Sequence, residues 1–247
     1  LADPALPDIP GLDAFAGEVF HSARWNHDYD LTGKRVAVVG TGASAIQIIP
    51  EIQRVVGHLT LFQRTPAWVL PRRDRRISAV EHWLYRRFPI AQKLARFGIY
   101  ASRESTVAAF VKRPRLLKAA ARLARRNMTK HIKAPELRAA LTPDYVMGCK
   151  RILLSNDYYP ALAAPNVSVV ASGLAKVVGT TVISQNGAAH DVDAIILATG
   201  FHTIDMPIAE RIHGLGGVTL ADAWQGDMRA LRGTNVAGLP NLCLVIG

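Results

Sequence analysis

Six consecutive residues, Gly40-Thr41-Gly42-Ala43-Ser44-Ala45, have the types and spacing to hold a pyrophosphate. In a G-x-G-x-x-A turn the first glycine makes a tight bend and the second lets the backbone approach the phosphate oxygens. The small third residue allows a helix to lie close on a strand. The helix that such a turn opens offers unpaired N–H groups and the positive end of its dipole to the anion. Gln47, just inside that helix, is grouped with the turn. The same residues could form a glycine turn in some other α/β protein, so the surrounding elements decide what the motif is worth.

Those elements come in the required order. Lys34-Arg35-Val36-Ala37-Val38-Val39 is a short apolar run ending at Gly40, the pattern of a buried parallel strand. Residues 43–56, with Ile46, Ile49 and Ile52 on one face, predict a helix in which Pro50 causes a kink or an early end. His58-Leu59-Thr60-Leu61-Phe62 predicts the next strand and completes a βαβ unit. A site for NADH would place Asp or Glu at the end of that strand, about 20 residues after the turn, to accept the ribose hydroxyls. Here the strand ends Phe62-Gln63-Arg64-Thr65. A guanidinium at that place can pair with a 2′-phosphate through two parallel hydrogen bonds, so NADPH is the expected nucleotide. The plainer reading of Arg64 is an exposed charge at a strand end.

From residue 72 to about 140 the period turns helical, with Val80, Trp83, Leu84, Leu94 and Phe97 recurring among arginines. Pro89, Pro114 and Pro135 divide this stretch into several short helices. Beyond Tyr158-Tyr159-Pro160, residues 167–170, 176–178 and 181–184 predict short strands, with Asn186-Gly187 as a hairpin turn. Asp193-Ala194-Ile195-Ile196-Leu197 predicts another buried strand, ending in Ala198-Thr199-Gly200. The first thirty residues, rich in Pro, Gly and Asp, read as an extended connector. The chain starts Leu1-Ala2-Asp3 without Met and stops on the strand-like run Leu242-Cys243-Leu244-Val245-Ile246-Gly247, so it reads as a piece of a longer polypeptide.

The composition, 49% hydrophobic and 20% charged over 247 residues, is that of a globular protein with a substantial core. No apolar run approaches the ~18 residues of a membrane span, and no basic-then-apolar leader opens the chain. Cys149 and Cys243 make neither a disulfide framework nor a metal-ligand spacing, and the histidines are scattered. A cytoplasmic setting and no metal site are expected. The net charge of +11 is uneven: residues 72–151 hold 21 of the 30 Lys/Arg and only 5 of the 19 Asp/Glu. Such a segment invites a nucleic-acid or anionic-membrane reading. Against it, Trp83, Leu84, Leu94, Leu116 and Leu117 among the arginines fit a helical layer with one face on the protein and the other in water. No nucleic-acid partner is expected, and peripheral membrane contact is the minor alternative.

Upstream of the glycine turn, Phe15-Ala16-Gly17-Glu18-Val19-Phe20-His21-Ser22-Ala23-Arg24-Trp25 fits F-x-G-x-x-x-H-x-x-x-W. Together with Gln63-Arg64-Thr65-Pro66, Gly148-Cys149-Lys150-Arg151 and Ala198-Thr199-Gly200-Phe201, it makes nearly the whole chain resemble the Baeyer–Villiger monooxygenases among the class B flavin-containing monooxygenases. Two features depart from that family: Asn26 follows the fingerprint Trp where Pro or Asp is usual, and the earlier G-x-G-x-x-G for FAD is absent. Trp25 favours the ketone-oxidising branch over the related enzymes that oxidise amines and sulfides.

The resemblance implies a Rossmann-type three-layer α/β domain with a helical insert and a small β-meander, plus remnants of a second, FAD-binding domain. Residues 1–31 would connect to the FAD domain, residues 32–200 would form the NADP-binding domain with its insert at 72–140, and residues 201–247 would return to the FAD domain. NADPH and FAD are the implied cofactors, and a ketone and O2 the substrates. Lys150, with Arg64 and Thr65, would hold the 2′-phosphate, and Thr199 and Gly200 would join the cofactor site. Arg151 would be the active-site cation beside flavin and nicotinamide, since a peroxide anion needs a fixed positive donor that stays protonated. His21 would couple hydride delivery to domain movement, while Phe15, Gly17 and Trp25 complete the fingerprint, Trp25 as packing. Plainer readings stay open: Lys150 and Arg151 as the solvated end of the basic segment, and His21 as a hinge histidine bonded to backbone. A non-catalytic NADP-binding module and a flavin-free oxidoreductase stay open too, although no Tyr-x-x-x-Lys pair supports the latter.

Overall fold

The computed structural model describes residues 3–72, 74–111, 115–203 and 206–245, with backbone alone for 105–111 and 115–116. Leu1, Ala2, Pro114, Ile246, Gly247 and the side chain of Leu116, on which expectations above bear, lie outside the described residues.

Five strands form one parallel sheet: β1 (Glu18–His21), β2 (Arg35–Val39), β3 (His58–Phe62), β6 (Val167–Val170) and β10 (Ala194–Leu197). Their spatial order is β1-β10-β2-β3-β6. Alternation along each strand sends side chains to two different cores. Val36, Val38, Leu59, Leu61, Ala194 and Ile196 enter one cluster with Ile46, Ile49 and Ile52 of the helix α1 (Ala45–Ile52) and with Tyr158, Tyr159 and Leu162 of the short helix α6 (Tyr158–Leu162). Ala37, Phe62, Ile195 and Leu197 enter a second cluster, closed by Leu174, Val177 and Val182 of an antiparallel meander. That meander is β7 (Leu174–Val178), β8 (Thr181–Ser184) and β9 (Ala189–Asp191). Both faces of the sheet are therefore covered, which is why its central strands β2 and β10 read as apolar runs. Helices, sheet and meander make the three layers expected of the fold class.

Three differences from the sequence expectation have physical causes. Residues 18–21, expected as extended connector, form the edge strand β1, because Val19 and Phe20 pair along β10 and bury their side chains on opposite faces. Helix α1 is shorter than residues 43–56. It ends two residues after Pro50, where Val55 and Val56 both donate to the Ile52 carbonyl and turn the chain toward β3. The described part of the last run, residues 242–245, is no strand. It makes a single bridge, Asn235 to Cys243, and belongs to a small separate cluster around α7 (Leu220–Trp224) with Leu220, Trp224 and Leu239.

The basic segment forms α2 (Ala79–Arg87), α3 (Pro89–Val111), α4 (Arg115–His131) and α5 (Pro135–Ala140). Pro89 and Pro135 each take the first helical position, where the missing N–H is no loss. One-sided packing holds for α4, which buries Ala124 and Met128, but not for α2 and the described part of α3. Val80, Trp83, Leu94 and Phe97 are all more than half exposed there. Two short strands, β4 (Val69–Leu70) and β5 (Leu153–Leu154), pair in parallel beneath α4.

Candidate nucleotide site

The C-terminal ends of the parallel strands bring the candidate residues into a row. His21 is level with Leu197, Leu197 with Val39, and Val39 with Phe62. The residues that follow each strand therefore leave the sheet side by side: Ala198-Thr199-Gly200, Gly40-Thr41-Gly42 and Gln63-Arg64-Thr65. From β2 the chain moves outward through β3 to β6 and returns on the other side of β2 as β10. The strand order reverses between β2 and β10, which is where ligands settle in open α/β sheets.

The two glycines of the turn are required for different reasons. Gly40 has φ +113°, and a Cβ there would lie 2.4 Å from the Ala198 carbonyl oxygen, so only glycine fits. Gly42 has ordinary φ, and nothing lies within 4 Å of where its Cβ would be. Behind it α1 begins without a cap. The Ser44 hydroxyl bonds to no helical N–H, and the first turn holds no acidic residue. Gly40 N–H donates to the Phe62 carbonyl and Ile46 N–H to that of Gly42, whereas the N–H groups of Ala43, Ser44 and Ala45 between them are free to meet an anion. The turn is tied down from the side: the Thr41 hydroxyl donates to the Thr65 carbonyl at 3.0 Å, and the Gln47 amide folds back on the Ala43 carbonyl at 2.7 Å.

Arg64, Lys150 and Arg151 are exposed, and none has a carboxylate partner among the described residues. Gln63, beside Arg64, is buried and donates to the Ala140 carbonyl at 2.8 Å, which anchors the strand end. The Lys150 ammonium lies 5.0 Å from the centre of the Tyr145 ring. Gly148 takes φ +104° within this loop, a conformation that glycine alone adopts freely.

Trp68 and Tyr145 were not singled out from the sequence, yet Trp68 ties the two cationic segments together. The Trp68 indole N–H donates to the Tyr145 carbonyl at 3.0 Å, and its own carbonyl accepts from Leu153 N–H at 2.9 Å. The signal available was Ala67-Trp68-Val69-Leu70, a short apolar run that begins three residues beyond Arg64.

The fingerprint residues serve mainly to shape the edge of the sheet. A Cβ on Gly17 would lie 2.3 Å from the Asp193 carbonyl oxygen and 2.6 Å from the Phe15 ring. The Trp25 ring meets Phe20 edge-on at 4.9 Å and packs against the helix-side core. His21 is 4% exposed and lines a cleft of about 490 Å³ along the outer edge of β1, with Phe15, Arg24 and Leu197. Its Nδ1 accepts from Ala23 N–H at 3.1 Å, which puts the ring proton on Nε2. Nε2 has no partner of proper geometry, although the Gly200 carbonyl lies on that side. Burial lowers the affinity of the ring for a second proton, and Arg24 adds to this while the Gly200 carbonyl opposes it. Thr199 and Gly200 are engaged within the chain: the Thr199 hydroxyl donates to the Ala5 carbonyl at 2.6 Å, and Ala5 N–H to the Gly200 carbonyl.

Comparison with known proteins decides the family, since the model of the Flavin-binding monooxygenase-like family matches residues 2–213. The chain belongs to that family. It is 60% identical to a Baeyer-Villiger monooxygenase of Streptomyces coelicolor over all of its length and 48% of the relative's. It is 50% identical to a Baeyer-Villiger monooxygenase of Pseudomonas aeruginosa over all of its length and 47% of the relative's. A triply substituted cyclohexanone monooxygenase from Rhodococcus sp. Phi1, solved bound to NADP+, superposes with TM-score 0.80 at 28% identity, covering 100% of this chain and 54% of that one. The chain thus spans about half the length of the curated relatives it matches. Among the described residues no group of His, Cys, Asp and Glu is placed to hold a metal, and no helix is long and apolar enough to cross a membrane.

Proposed function

We propose that this chain is the NADPH-binding part of a Baeyer–Villiger-type monooxygenase that uses FAD and O2 to convert a ketone to an ester or lactone. The observation that carries the reading is the uncapped helix start behind Gly42, on the same edge of the sheet as Arg64, which has no carboxylate partner among the described residues. The identity with two Baeyer-Villiger monooxygenases and the likeness to an NADP+-bound cyclohexanone monooxygenase support the rest.

The residues present fit the nucleotide. The N–H groups of Ala43, Ser44 and Ala45 hold the pyrophosphate, and open space at Gly42 lets it approach. Arg64 and Lys150, neither neutralised by a carboxylate among the described residues, hold the 2′-phosphate beside Thr65. When bound, NADPH would supply a hydride, the reducing equivalent that a monooxygenase needs. Arg151 would offer an anion in the active site a cation that stays charged at any working pH. His21, buried and holding its proton on Nε2, offers a donor at the junction next to Gly200. The residues do not fit the phosphates of FAD in the same way. Among those described, no second glycine turn opens an uncapped helix, so that function falls to the half of the relatives outside this chain. In this reading residues 32–200 are the NADP-binding unit, to which β1 adds an edge strand, and residues 201–247 lead back toward the FAD-binding part. Two exposed, unpaired cysteines, Cys149 and Cys243, suit a reducing compartment such as the cytoplasm.

Titration of the chain with NADP+ and NAD+ tests the nucleotide reading. A preference for NADP+ of about tenfold or more is expected, and equal affinities overturn it. Incubation with FAD followed by desalting separates the whole enzyme from its part. A colourless protein supports a nucleotide-binding module that needs its other half, and a retained flavin spectrum places the flavin site within this chain.

A further inference from the structure

We propose that Trp68 and Tyr145 set the preference of this chain for a 2′-phosphorylated nucleotide, by fixing the loop that carries Lys150 against the strand end that carries Arg64. The proposal rests on the reading that Lys150 meets the 2′-phosphate.

The geometry is a clip. Arg64 leaves β3, and four residues later Trp68 is 4% exposed, held in a cluster with Met147 and Ala124. This one residue grips both ends of the loop from 145 to 153: its indole N–H binds the Tyr145 carbonyl at 3.0 Å, and its own carbonyl receives Leu153 N–H at 2.9 Å. The pairing of β4 with β5 continues that grip. Between the two anchor points lie Gly148, Cys149, Lys150 and Arg151. The loop therefore cannot move along β4 without breaking a buried indole hydrogen bond, whose loss leaves a desolvated donor.

Within the clip, Tyr145 places the charge. A lysine on a loop has four rotatable bonds and an ammonium that prefers water, so without a seat it samples a wide arc. The Tyr145 ring supplies that seat, with Nζ 5.0 Å from its centre. A cation held on an aromatic face keeps its hydrogen-bond donors on the outer side, available to a phosphate. The other side of the clip is used as well, since the Arg125 guanidinium lies 5.5 Å from the centre of the Trp68 ring. Trp68 and Tyr145 are positioning residues here, acting through Lys150.

The test is the ratio of NADP+ to NAD+ dissociation constants for the full chain, by calorimetric titration, in W68F, Y145L, Y145F and K150M. Thermal melts confirm that each variant is folded. Trp68→Phe keeps the ring and removes the N–H; Tyr145→Leu removes the seat; Tyr145→Phe keeps it. The expected result is that W68F and Y145L weaken NADP+ by about threefold to tenfold with NAD+ unchanged, that Y145F stays close to the parent, and that K150M loses most of the preference. Equal weakening of both nucleotides means that the two aromatics only support the fold, and overturns the proposal. So does an unchanged ratio in W68F and Y145L while K150M collapses it. If K150M itself leaves the ratio unchanged, the role of Lys150 fails first, and the proposal falls with it for that separate, recognisable reason.

Discussion

Two turns at the C-terminal edge of the sheet are spelled almost alike and lie on neighbouring strands, yet they are used in opposite ways. Gly40-Thr41-Gly42 follows β2, and Ala198-Thr199-Gly200 follows β10. In the first, the Thr41 hydroxyl binds sideways to the Thr65 carbonyl, and a helix starts behind with its N–H groups unused. In the second, the Thr199 hydroxyl binds the Ala5 carbonyl, Gly200 accepts from Ala5, and Pro4 bridges to Phe201. One turn is open because a helix follows it. The other is stapled because the chain after it runs alongside residues 3–5. A threonine between small residues at a strand end thus carries no fixed function; what its hydroxyl finds and what comes next decide it.

The comparison can be broken most severely at the contact between the two turns. Gly40→Ala drives a methyl into the Ala198 carbonyl at a φ that alanine resists, and is expected to destabilise the chain by about 3 kcal/mol or more. Urea unfolding measures this, and a loss below about 1 kcal/mol would mean that the strands part easily at that point. Gly42→Val should separate function from fold. Its Cβ meets nothing within 4 Å, so stability should shift by no more than about 1 kcal/mol. NADP+ binding should weaken by about tenfold or more as the side chain fills the approach to the helix start; unchanged affinity would remove the pyrophosphate from that place. Next come the threonines. Thr41→Val and Thr199→Val should each cost about 1 kcal/mol of stability. Only Thr41→Val should also weaken the nucleotide, by roughly threefold, because only its turn is open. Equal effects on binding would erase the distinction between the turns.

The smallest expected effect is the pH response of His21, next to the stapled turn. Burial holds its folded-state pKa below the ordinary value near 6.5. The unfolded chain therefore binds the proton first as pH falls. Stability is unaffected well above 6.5, decreases as pH drops through it, and levels off once the folded protein is protonated too. The difference in unfolding free energy between the parent and His21→Gln should slope across that window, and a flat difference would mean that the ring is solvated.

Many of the strands were legible from the residues, since β3 and β6 of the parallel sheet and β8 of the meander fall where their runs lie and Arg35–Val39 is one residue shorter than read. Buried parallel strands announce themselves because both faces must be apolar. β1 did not, because Glu18-Val19-Phe20-His21 is four residues of mixed character and becomes a strand only through its pairing with β10. Helices α2 and α3 were legible as helices from their period, yet the expectation that they bury one face failed for the described residues, Trp83 and Phe97 among them. Periodicity reports which side chains share a face and says nothing about whether another surface is there to meet it.

The sequence by itself determined the local chemistry of the candidate site. It placed a glycine turn between a strand and a helix, with Arg64 where an acidic residue would select NADH, and the fingerprint of Phe15, Gly17, His21 and Trp25 just upstream. Those are short-range properties, set by backbone conformations and residue types within a few positions. Only the tertiary structure decided that Gly40 must be glycine because of Ala198, that Thr199 is tied to Ala5, and that Trp68 holds the Lys150 loop by both ends. Each is a contact between residues more than 75 positions apart in the chain. Such contacts depend on strand order and register, which many sequences of the same pattern could satisfy differently, and hydrogen-bond partners at that range are fixed only when the sheet has closed.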